Sequence, residues 1–199
     1  MQLTYPKAPT HSVQTLHPAL QAALRTQGFG INRAFANARP HTLSLSQAFR
    51  GYALHLEDLA NGKGLDQATT GDWHYLVFAG GVSIADAQLT EVAGKVEFAA
   101  LNHGTLAAST LSALKLAEQA PLLQGKSCEL RLLFIPALQV TAIWLHAADA
   151  EVLIPIDPTP VNLAAHQLYD AAALLGLLTP LAQQAKAVFD ADTSGTLGG

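Results

Sequence analysis

Acidic residues are missing from the first 56 positions of this chain, where Lys7, Arg25, Arg33, Arg39 and Arg50 give a formal charge of +5. All 15 acids fall in residues 57–199 against six bases, a formal −9, so the modest net −4 conceals a strong polarity along the chain. Charge of either sign is scarce. Only 13% of the residues are charged, where a soluble domain averages about a quarter. Half are hydrophobic, which excludes a disordered tail or a charged linker. Cysteine occurs once, as Cys128. That excludes an internal disulfide and a four-cysteine zinc site, and nothing asks for an oxidising compartment, so a cytoplasmic location is expected.

Long apolar runs are also lacking. Met1 to Thr15 is interrupted by Lys7 and His11, which leaves no continuous core for a secretory signal. The most apolar stretch, Leu132 to Leu145, is shorter than a bilayer span and holds Pro136, Gln139 and Thr141. A membrane is therefore not an expected partner. Nucleic acid is not expected either, because five cations spread over 56 residues in a chain of pI ≈ 6.0 make no dense basic face.

Periodicity supplies the elements. His17-Pro18 followed by Ala19, Leu20, Ala23 and Leu24 predicts a short helix that begins at proline and stops at Gly28. Leu45, Phe49, Tyr52, Leu56 and Leu59 recur at three and four, which predicts a second helix closed by Gly62. The two form an N-terminal helical hairpin. From Trp73 the period changes to two, and the Gly80-Gly81 pair predicts a hairpin with Val77 opposite Ile84 and Tyr75 opposite Asp86. Val96–Leu101 adds a strand, and Gly104 or Thr105 opens a helix that ends before Pro121. Cys128–Ile135, Gln139–His146 and Glu151–Ile156 read as three further strands. The last turn sets Trp144 opposite Leu153 and His146 opposite Glu151. Thr159-Pro160 opens a long helix to about Leu178, and Thr179-Pro180 begins or kinks its continuation through Phe189.

The expectation is a single α+β domain over residues 1–190. It divides into a basic helical segment, 1–62, and an acidic body, 63–190, with residues 191–199 as a flexible tail. An antiparallel sheet of five or six strands is built from two strand-rich units, each followed by a helix. Both faces of that sheet are apolar, so both need cover.

Candidates for chemistry are few. The chain has no Walker motif, no paired histidines at helical spacing and no Gly-x-Ser-x-Gly elbow, and Gly28-Phe29-Gly30 lacks the third glycine of a dinucleotide loop. Asn102-His103-Gly104-Thr105 precedes a helix, where free N–H groups favour an anion and His103 can carry a proton; the plainer role is N-capping by Asn102 or Thr105. Arg131 is a candidate partner for the same ligand, although Glu129 two residues away competes for it. His146 and Glu151 make a cross-strand pair that can transfer protons. Cys128 reads as a buried thiol. Asp190, Asp192 and Ser194 match the opening of a calcium loop, but the bidentate acid that would complete it has no position in the sequence. No cofactor is implied. The leading expectation is a non-catalytic binding or assembly protein, a homo-oligomer or the partner of another protein. The alternative is a small enzyme or anionic-ligand-binding domain using Asn102–Thr105 with His103 or His146 and Glu151.

Overall fold

A computed structural model describes residues 1–26, 42–160 and 162–191. Gly28, the Gly28-Phe29-Gly30 run, Asp192 and Ser194 lie outside the described residues. In chain order the elements are β1 (Gln2–Thr4), α1 (Ser12–Thr26), β2 (Leu43–Leu45), β3 (Phe49–Ala53), α2 (Leu56–Ala60), β4 (Thr69–Ala79), β5 (Val82–Val92) and β6 (Lys95–Asn102). They continue as α3 (Thr105–Gln119), β7 (Ser127–Ile135), β8 (Val140–Ala147), β9 (Ala150–Ile156), β10 (Tyr169–Asp170) and α4 (Ala171–Ala191).

The strands form one ten-stranded sheet in the order β10-β9-β8-β7-β3-β4-β5-β6, with β1 added to β7 and β2 to β4. It is mixed, because β3 and β1 both run parallel to β7. This corrects the expected antiparallel sheet of five or six strands. The two strand-rich units are present as the meanders β4-β5-β6 and β7-β8-β9, followed by α3 and, after β10, by α4. They are joined edge to edge through β3, which pairs with β4 on one side and β7 on the other.

The difference lies in residues 43–62. Leu45, Phe49 and Tyr52 have helical spacing, yet these residues form β2 and β3, and only Leu56–Ala60 is helical. Gly51 is unfavourable within a helix by about 1 kcal/mol, and as a strand β3 hydrogen-bonds to partners on both edges. Tertiary pairing overrides the local period. The expected helical hairpin is thus replaced by a single longer helix, α1. It starts at Ser12, whose hydroxyl donates to the Pro9 carbonyl at 2.7 Å, and it carries Pro18 internally rather than at its head.

The C-terminal helix also starts later than expected. Thr159-Pro160 opens an irregular connection, and α4 begins at Ala171, where Asp170 Oδ1 accepts the N–H groups of Ala172 at 2.9 Å and Ala173 at 3.4 Å. Pro180 then lies inside α4.

The hairpin registers were more legible. Trp144 faces Leu153 and His146 faces Glu151, as the turn length requires. In the β4–β5 hairpin, Phe78 faces Ser83 as expected, but a bulge follows and Ile84 has no register partner. Asp86 consequently stands opposite Leu76 instead of Tyr75. A one-residue slip moves a side chain to the other face of the sheet.

Helices cover both faces. On one, α3 packs Ala107, Ala113 and Ala117 against Leu130, Leu132, Ile143 and Ile154. On the other, α1 lays Leu16 and Leu20 over Trp73, Tyr75 and Leu89, while α2 and α4 lay Leu59, Leu174 and Leu178 over Leu133, Trp144 and Leu153. Each of these leucines is at most 2% exposed, and burying a leucine fully stabilises the fold by about 1.5–3 kcal/mol.

Candidate functional site

On the α3 face the bulge brings Asp86 beneath His74, and both are almost fully buried. His74 Nδ1 donates to the Asp86 carboxylate at 3.0 Å, and Gln88 Nε2 and Asn102 Nδ2 donate to Asp86 Oδ2 at 3.0 and 3.4 Å. The imidazole ring lies between Phe49 and Phe134, with centroids 5.7 and 5.6 Å away. Three donors on one carboxylate satisfy a charge that would otherwise be costly to bury. Asn102 is therefore committed to Asp86. Gly104 occupies the N-cap of α3 without a side-chain cap, and burial pushes the His103 imidazole below its ordinary value, favouring the neutral ring.

Arg131 stands on the opposite face. It is the register partner of Trp144, which packs under α2 and α4, so the structure does not bring it to Asn102–Thr105. It does bring Arg131 close to His146 and Glu151. Arg131 Nε donates to Glu129 at 2.6 Å, His146 faces Glu129 across β7 and β8, and His146 Nδ1 donates to Glu151 at 2.6 Å. Glu151 also accepts the indole N–H of Trp144. A histidine–carboxylate couple of this kind can pass a proton.

Following the register outward from Arg131 gives a rung that sequence reasoning did not assemble. Leu89, Trp73, Arg50, Arg131, Trp144 and Leu153 are successive Cα partners across β5, β4, β3, β7, β8 and β9, and so share one face. Two arginines sit side by side at its centre with a tryptophan on each flank. The Arg50 guanidinium lies 4.5 Å from the Trp73 ring, and that of Arg131 lies 4.7 Å from Trp144 and 5.2 Å from Tyr52. Their side chains are 16% and 17% exposed. These residues are far apart in sequence, and only the parallel pairing of β3 with β7 makes them neighbours.

A third constellation joins α3 to the β9–β10 connection. The Ser109 hydroxyl lies 2.7 Å from His166 Nε2 and 3.5 Å from Asp157 Oδ2, and it accepts the Asp157 N–H at 2.8 Å. Serine, histidine and aspartate are the elements of a hydrolase triad, but here Asp157 approaches Nε2, at 3.8 Å, the same nitrogen that faces the serine. Ser109 is also buried. The trio fastens a connection in which His166 adopts a left-handed φ of 58°.

Cys128 is buried, and desolvation pushes its thiol above the ordinary value. Asp190 accepts from Lys186 at 2.9 Å. Among the described residues no group of three or more histidine, cysteine or acidic side chains could hold a metal ion, and no helix is long and apolar enough to cross a membrane.

Beside α4 lies a cavity of about 540 Å³, lined by Pro136, Leu138, Val140, Leu163, Leu181 and Val188 among others. Leu177, Leu181 and Val188 are 58%, 37% and 62% exposed, on a helix that already buries Leu174, Leu175 and Leu178. The chain matches no protein-family model, and neither a curated protein nor a solved structure is significantly similar to it.

Proposed function

We propose that the protein is a non-catalytic binding and assembly protein of the cytoplasm that acts as a homo-oligomer, with α4 as its contact. The supporting observation is the second apolar stripe of α4. Leu177, Leu181 and Val188, with the polar Gln184 among them, are spaced at four, three and four residues, as in a helix–helix seam, on a flank of α4 beside the buried Leu174 and Leu178. The helix's charged residues are engaged elsewhere, since Lys186 pairs with Glu57 and Asp190. A stripe of this kind is self-complementary across a two-fold axis, so a second copy of the chain is the economical occupant. The cytoplasmic placement rests on the single buried thiol.

Size exclusion with light scattering, at low and at high salt, tests the reading. The expected species is at least twice 20.9 kDa and persists in high salt, as an apolar contact would. The double variant Leu181→Glu, Val188→Glu is expected to run at 20.9 kDa with unchanged far-ultraviolet circular dichroism. A wild-type protein that is monomeric at micromolar concentration in both salts overturns the proposal.

A further inference from the structure

The central rung of the sheet sets like charges side by side. Arg50 and Arg131 are register partners on adjacent parallel strands, an arrangement that is unfavourable unless anions offset it. Among the described residues each arginine pairs with one acid, and the two are served unequally. Glu129 holds Arg131 Nε at 2.6 Å, a short charge-assisted bond. Glu91 reaches Arg50 Nη1 only at 3.5 Å, and the same carboxylate oxygen also accepts the Trp73 indole N–H at 3.3 Å. Arg50 Nε is buried with no hydrogen-bond partner among the described residues. A guanidinium has five donors, and leaving them unpaired away from water is costly.

The Trp73 ring, 4.5 Å from the Arg50 guanidinium, packs against that cation. Arg131, held in the same way against Trp144, adds a second positive charge one strand away. We propose that Arg50, supported by Arg131, binds a small oxyanion, the carboxylate or phosphate group of a ligand. The anion supplies the acceptors that Glu91 does not. Glu91 is an exposed competitor for the same guanidinium, so removing its charge strengthens binding instead of weakening it.

The chain's two tryptophans are the two that flank the arginines, which makes intrinsic fluorescence a direct readout. The titration uses inorganic phosphate in one arm and acetate in the other, at ionic strength held constant with chloride. A saturable change with phosphate alone assigns the site to phosphate groups, and one with acetate alone assigns it to carboxylates. Arg50→Gln is expected to weaken the response at least tenfold. Glu91→Gln, at an exposed position that leaves the core intact, is expected to strengthen it about threefold or more. The proposal is overturned by the absence of a saturable change in either arm. It is equally overturned by an undiminished response in a folded Arg50→Gln protein, or by weaker binding in Glu91→Gln.

Discussion

A Cβ at position 51 would stand 2.8 Å from His74 Nε2 and 3.2 Å from Phe134, so the glycine of β3 is a packing requirement of the buried imidazole. His74 cannot retreat, because Asp86 holds its other nitrogen and Phe49 lies along its ring. Gly51→Ala is accordingly expected to lower the unfolding free energy by about 1–3 kcal/mol, the usual cost of overpacking, as read from the midpoint of urea unfolding. His103 is expected to give the chain a pH dependence. Its folded pKa is depressed by burial below the ordinary 6.5, so on acidification the unfolded chain takes up the proton first. The contribution of this group is fully present above about pH 6.5 and declines as pH falls from there towards the lower folded value. Urea midpoints measured between pH 8 and pH 5 are expected to fall on the acid side, and His103→Gln is expected to flatten that decline.

Helix α4 shows how an element can depart from local rules when its packing is strong. Pro180 has no N–H to give the Gly176 carbonyl four residues earlier, a loss normally worth about 3 kcal/mol or more in a helix interior. The helix continues because Leu174, Leu175, Leu178 and Ala182 are buried on both sides of the break. Pro180 itself is exposed, so its removal sacrifices no core contact. Pro180→Ala is expected to stabilise the protein by about 1–3 kcal/mol, partly offset by the freer unfolded chain, with a raised thermal midpoint as the measurement. The same balance explains which elements were readable. Helix α3 and the β8–β9 hairpin are specified by nearby residues: a helix opening at Gly104 and Thr105 ahead of Pro121, and a short turn at Ala148-Asp149. Strand β3 is specified by β4 and β7, which lie outside any local window.

For the whole molecule, helices occupy both faces of the sheet, and the large apolar side chains left exposed include Leu177, Leu181, Val188 and Phe189 on α4 as well as Val82, Val92 and Phe98 on β5 and β6. Oligomerisation through α4 would tie folding to association. The thermal midpoint is then expected to rise with protein concentration in the wild type and to be independent of it in Leu181→Glu, Val188→Glu. The candidate sites divide along similar lines. His146 with Glu151 was legible because a hairpin turn fixes the register between them. Asp86 with His74 was not, because a single unpartnered residue at Ile84 reverses which face Asp86 takes. The Arg50–Arg131 pair was least visible of all, since its two residues meet across a parallel strand pairing.

What the sequence determined by itself is what short-range physics controls. This comprises the mixed α and β content, apolar strand faces that demand cover on two sides, the Gly80-Gly81 and Ala148-Asp149 turns, the burial of Cys128, and the separation of a basic start from an acidic body. What only the tertiary structure decided is everything that depends on which distant edges meet: β3 as a strand, the parallel pairing, the rung of arginines and tryptophans, and the carboxylate under His74. Backbone hydrogen bonds between strands carry no residue label. A chain can therefore announce its strands and turns while the order in which the strands join is settled by the packing of the whole sheet.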